Sequence, residues 1–151
     1  MNKIKMIMTL ALAMFSIMGV KAQASTENEE VVFYESFDNM NGTGGNDGKW
    51  DIIAGIEWGT KGAINDGWRS VFAVQPANKC ILIGTDGSLY TPTLTNLEGD
   101  ATLTFKAGSS TKKIITKQAK LNIDIENGGK LDITSIKLER GKFNEYTIKI
   151  T

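Results

Sequence analysis

The densest run of potential ligand atoms in this 151-residue chain is Asp38 to Gly48 (DNMNGTGGNDG), where carboxylate and amide oxygens sit among glycines. Hard cations such as Ca²⁺ take about six to eight oxygens from flexible backbone and Asp or Asn side chains, so the composition suits a calcium loop. The plainer reading is a turn loop, in which Gly, Asn and Asp serve for their backbone freedom and local hydrogen bonding. The EF-hand spacing is not met, because Met40 stands where an Asp or Asn is required. Gly48-Lys49 invites a phosphate-loop reading, but that pattern needs Gly at position 43 and Ser or Thr at position 50. Thr43 and Trp50 stand there, and the phosphate loop is excluded.

Trp50, Trp58 and Trp68 fall in the first half of the chain, with Asn65-Asp66-Gly67 directly before Trp68. An indole face can stack on a sugar ring while neighbouring amides and carboxylates bond its hydroxyls. Trp58, Trp68, Asn65 and Asp66 are therefore the candidate ligand-binding residues, and Trp58 is the one expected to be exposed. The alternative is that the tryptophans fill a core or cover its ends. Glycosidase chemistry needs two carboxyls on either side of one bond. Glu35/Asp38 and Asp124/Glu126 are the close pairs in sequence, and the second lies on the polar face of an alternating run. With no His, neither Ser-His-Asp nor Cys-His catalysis is available. The single cysteine, Cys80, excludes an intrachain disulfide and a thiolate zinc site, and its apolar neighbours read as a buried position. No catalytic residue is assigned, and a hydrolase is the least favoured class.

These residues must be carried by something, and the chain is two segments. Met1 to Lys5 is basic, Met6 to Val20 is apolar over 15 residues, and Ala22-Gln23-Ala24 is small-x-small. This is the three-part pattern of a secretory signal peptide cut after Ala24. The apolar run is short for a bilayer span of about 20 residues, and nothing later reads as a span. The expected address is across the inner membrane, in the periplasm, on the cell surface or outside the cell. The whole chain has 17 basic and 17 acidic residues; three of the basic ones lie in residues 1–24, leaving 14 against 17 and a net charge of −3. That balance argues against a nucleic-acid partner. Lys112, Lys113, Lys117 and Lys120 read as a solvated basic patch.

Residues 25–30 (STENEE) read as a polar tether, and 31–151 as one domain. Its runs alternate with period two: Val31 to Phe37, Trp68 to Val74, Lys79 to Ile83, Ala101 to Ala107, Lys120 to Glu126 and Glu145 to Thr151. Such alternation is what a strand with one buried and one wet face requires. Asn127 to Lys130 reads as a hairpin turn and Asp86-Gly87 as a tight turn. After Leu131 and Ile133 the inward phase shifts to Ile136 and Leu138, which predicts a bulge at Thr134-Ser135. No segment keeps a helical period. The expected fold is an all-β antiparallel sandwich, jelly-roll-like, behind a signal peptide.

Several phrases carry a family resemblance: Phe33 to Asp38, Gly42 to Gly48 with Trp50, Cys80 to Thr85, Ala101 to Ala107, and Phe143 to Thr147. Together they resemble a β-sandwich (jelly-roll) domain of secreted and surface proteins of Bacteroidota. The resemblance implies a non-catalytic accessory module, carbohydrate-binding or adhesive, with a glycan or a cell-surface protein as partner. It leaves a purely structural or protein-interaction domain, or a gene fragment, as the alternative. It also implies a structural Ca²⁺ with Glu35 and Asp38 as first-strand ligands. Domains of this look continue past the last strand seen here, so the sequence reads as one lacking its closing strands.

Overall fold

The structure is a computed structural model that describes residues 3–8, 13–23, 29–52, 65–95, 97, 99–113 and 117–151. Every regular element among them is a strand. In chain order these are β1 (Lys3–Met8), β2 (Ala13–Gln23), β3 (Glu29–Glu35), β4 (Arg69–Val71), β5 (Val74–Ala77), β6 (Cys80–Ile83), β7 (Ser88–Tyr90), β8 (Ala101–Ser109), β9 (Lys120–Glu126), β10 (Ser135–Lys137) and β11 (Asn144–Ile150). One sheet runs β10-β9-β1-β7-β4; the other runs β11-β8-β2-β6-β5, with β3 also paired to β2. All strand pairs are antiparallel. The all-β expectation is met.

The pairings nest. β4 pairs with β7 in one sheet while the intervening β5 and β6 pair in the other. β8 pairs with β11 in one sheet while β9 and β10 pair in the other. Each quartet thus gives two strands to each sheet, and β1 and β2 fill the seams between quartets. β1 lies between β7 and β9, and β2 between β6 and β8. The apolar run expected to be a leader therefore supplies two central strands of the full-length chain.

One cluster of buried residues draws on both sheets, consistent with a β-sandwich. Leu89, Leu121 and Ile123 come from the first sheet; Ile81, Ile83, Leu103, Phe105 and Ile148 come from the second. In β8 the expected alternation is kept: Ala101, Leu103, Phe105 and Ala107 are buried, and the residues between them are half-buried. β6 is buried on both faces. Ile81 and Ile83 enter the main core, while Cys80 and Leu82 join a second cluster covered by Trp50, Ile52, Phe72 and Phe143. That explains its unbroken apolar run, Cys-Ile-Leu-Ile, since a strand covered twice has no wet face.

Two boundaries differ from the sequence reading. Glu29 and Glu30, placed in the tether, pair with β2 as the start of β3; residues 24–28, including the Ala24 cleavage position, lie outside the described residues. The second difference follows the Asn127–Lys130 turn. Lys130 exchanges two backbone hydrogen bonds with Thr151, at 2.7 and 2.9 Å, and the Asp132 N–H donates to the Lys149 carbonyl at 3.1 Å. Residues 130–132 therefore pair with β11 in the opposite sheet, and only at Ser135 does the chain join β9 as β10. Ile133, expected inward, is 41% exposed, whereas Ile136 and Leu138 are buried. The phase shift marks a change of sheet, not a bulge within one strand.

Candidate functional site

The loop from Asp38 to Gly48 is built against the β5–β6 hairpin. That hairpin turns through Asn78 and Lys79, and Lys79 sits in the left-handed region at φ 51°. A non-glycine residue there is strained and needs support from its surroundings. The support comes from the loop. The Asn46 side-chain amide donates to the carbonyls of Asn78 and Lys79 at 3.1 and 3.0 Å. The Asn78 N–H donates to the Gly44 carbonyl and the Lys79 N–H to the Met40 carbonyl, each at 3.1 Å. Asp47 closes the loop on itself, accepting from the Gly44 and Lys49 N–H groups. Those two bonds hold the Asp47 carboxyl below the usual carboxylate range. Of the oxygens that suggested a cation loop, both of Asp47's are taken by the loop's own backbone, while Asn46 is tied to the hairpin through its amide nitrogen. The sequence signal for this role was the cluster of turn formers itself; the partner hairpin, more than 30 residues away, left none.

Glu35 and Asp38 stand where β3 ends. The Glu35 Oε1 accepts from the Phe37 N–H at 2.9 Å, bracing a residue at φ 58°, and Asp38 is exposed with its N–H donating to the Ser36 Oγ at 3.2 Å. Among the described residues no three His, Cys, Asp or Glu side chains are grouped as a metal site.

Asn65, Asp66 and Trp68, read as ligand-binding, lie in the turn that meets this end of β3. Asn65 and Asn39 exchange side-chain amide hydrogen bonds at 2.5 and 3.2 Å, tying the loop after β3 to the turn before β4. The Trp68 N–H donates to the Asn65 carbonyl at 3.1 Å, and Asp66 is exposed at the turn tip. Trp68 itself is half-buried between Phe33 and Phe37, with ring centroids 5.9 and 5.0 Å away. Its indole N–H is buried and has no hydrogen-bond partner among the described residues. Trp50 is half-buried against Phe143 at 4.8 Å and covers the outer face of the β5–β6 edge. Trp58 lies outside the described residues. So Asn39, Asn65, Asp66 and Trp68 form one corner, with Glu35 and Asp38 on its β3 side. Asn39 was missed by the sequence reading, although its place in an Asn-rich loop was visible.

Away from this corner, Arg69 lies over the Tyr90 ring at 3.7 Å, a cation–π contact that covers the end of β7. An open depression of about 460 Å³ is lined by Gln118, Leu138, Glu139 and Arg140, and Glu139 is engaged with Lys142 at 2.5 Å. Asp124, on the polar face of β9, accepts from the Ile125 N–H, and Lys112, Lys113, Lys117 and Lys120 are all exposed. No protein-family model matches the chain, and comparison with curated proteins and with solved structures found no match.

Proposed function

We propose that the chain is a non-catalytic interaction module, exported across the inner membrane, that adheres to a partner protein rather than stacking on a sugar. The observation that carries this reading is the packing of the tryptophans. Trp68 is held between Phe33 and Phe37, and Trp50 against Phe143, so both described indoles serve the fold. A sugar platform needs an aromatic face left open to the ligand. The carboxylates considered for catalysis are likewise engaged locally, Glu35 with the Phe37 N–H and Asp124 with the Ile125 N–H. The resemblance to surface domains of Bacteroidota and the leader pattern of residues 1–24 support export. Exposed apolar side chains on the strands, Val31, Tyr34 and Val71, give a protein partner something to bury.

The test is binding of the full chain to cell surfaces treated in two ways. Binding that survives enzymatic removal of glycans and is lost after protease treatment supports protein adhesion. Binding lost with the glycans, together with hits on a glycan array, overturns it in favour of the carbohydrate reading. Turnover of a glycoside substrate by the full chain would overturn the non-catalytic part.

A further inference from the structure

The two central strands of this fold come from the segment least expected to remain in it. Residues 1–24 carry a leader pattern, yet residues 3–8 and 13–23 fill the seams between the two nested quartets. Removing them leaves β4-β7 facing β9-β10 in one sheet, and β5-β6 together with β3 facing β8-β11 in the other. Neighbouring strands lie about 4.8 Å apart, so each vacated seam is one strand wide and lined on both sides by unpaired backbone N–H and C=O groups. The strands flanking the first seam turn Leu89, Leu121 and Ile123 into the core, and those flanking the second turn in Ile81, Leu103 and Phe105, all at most 2% exposed. Backbone polar groups beside an apolar floor need a strand to satisfy and cover them.

Two further features show what such a strand must look like. Thr91, 1% exposed, grips the backbone of the strand in the first seam: its N–H donates to the Ile4 carbonyl and its Oγ1 accepts from the Ile4 N–H, both at 3.1 Å. These groups recognise main chain and are indifferent to the side chain of their partner. Along the other side of the seam β9 carries Asp124 and Glu126, two residues apart on one face, with register positions 5 and 3 opposite them. Opposite charges directly across an antiparallel pair are favourable, so these acids favour a strand with basic residues at those positions.

We propose that the seams are strand-acceptor sites: once the leader is removed they take two strands of a partner polypeptide. The partner strands are joined by a short arch, alternate apolar residues, and carry basic residues opposite Asp124 and Glu126. The leader is the stand-in that shows the register. The first strand runs antiparallel to β9 over six residues and to β7 over three; the second runs antiparallel to β8 on one side and to β6 and β3 on the other. The site lies between the quartets and not at the Trp68 corner, so its failure leaves the adhesion reading standing.

The experiment starts from the folded full chain carrying a protease site within residues 24–28. After cutting, native mass spectrometry shows whether the leader fragment stays, and a labelled synthetic peptide of residues 1–24 is added in excess. The expected result is a fragment that stays bound and exchanges one-to-one for the labelled peptide, while uncut chain takes up none. A peptide carrying Lys3→Glu and Lys5→Glu is expected to compete about fivefold less well, from the loss of two cross-strand pairs. A cut body that aggregates and is kept soluble by the peptide gives the same support. Loss of the fragment from a body that stays monomeric, with unchanged amide exchange at residues 88–90 and 120–126, overturns the proposal. So does aggregation that the peptide does not prevent. Equal competition by the charge-reversed peptide overturns the basic requirement. A cut body that forms dimers the peptide cannot dissociate makes a second copy of this chain the occupant instead.

Discussion

Asp47 accepts the Lys49 N–H through one carboxylate oxygen at 2.9 Å and the Gly44 N–H through the other at 3.1 Å. Both bonds favour the ionised carboxyl and lower its pKa from the ordinary 3.8. A carboxyl depressed in the folded state adds stability above its unfolded pKa, and that contribution is lost as the pH falls through the folded value. Wild type is therefore expected to exceed Asp47→Ala in urea midpoint at pH 7. The gap narrows once the pH drops below about 3.8. The group is fully exposed, so the gap is small, and a gap that stays constant across this range contradicts the assignment.

Phe105 on β8 is fully buried, whereas Thr104 next to it faces outward beside Thr147. Phe105→Ala is expected to destabilise by about 3–5 kcal/mol through lost burial and the cavity left behind. Thr104→Ala is expected to stay within about 0.5 kcal/mol of wild type. Chemical unfolding of the two variants measures the difference, and similar values would mean that the faces of β8 are reversed.

Burial pushes the Cys80 thiol up to about 12, and the residue is 0% exposed. A thiol-specific reagent at pH 8 is expected to leave it unmodified in the folded chain and to react fully in denaturant. Unfolded, this thiol ionises near 9, so stability falls as the pH rises from 9 towards 12. Rapid labelling of the native protein would place Cys80 at the surface.

Gly108 and Gly48 separate two reasons for glycine. A Cβ at Gly108 would overlap the Lys142 carbonyl, a backbone atom that cannot step aside. Gly108→Ala is expected to cost about 3 kcal/mol, at the upper end for overpacking. Gly48 has open space around it but a φ of 78°, so Gly48→Ala is expected to cost only the left-handed penalty of about 1–2 kcal/mol. Thermal melts rank the pair, and the reverse order contradicts this placement of β8 against the loop before β11.

Strands with one wet face were legible because alternation is a local signal. β8, β9 and β11 lie within two residues of where the sequence set them. Ile133 was misplaced because a period-two pattern names a face without naming the sheet that face belongs to. Trp68 and Asn65 were singled out as ligand-binding residues, and nothing local could show that Phe33 and Phe37 pack on Trp68. The run at the start carries a leader pattern; β3, one of its partners, follows within 6 to 17 residues, but its partners in β6 to β9 lie 66 to 123 residues away, where a local pattern carries no information about pairing.

That separation has a consequence in time. Lys5 pairs with Tyr90, so the first partner strand of β1 is made about 85 residues later. At a synthesis rate of about 5–20 residues per second, roughly 4–17 s pass before β1 has any edge to join. β1, made first, is therefore among the last strands to be seated, because both of its neighbours, β7 and β9, are made long after it.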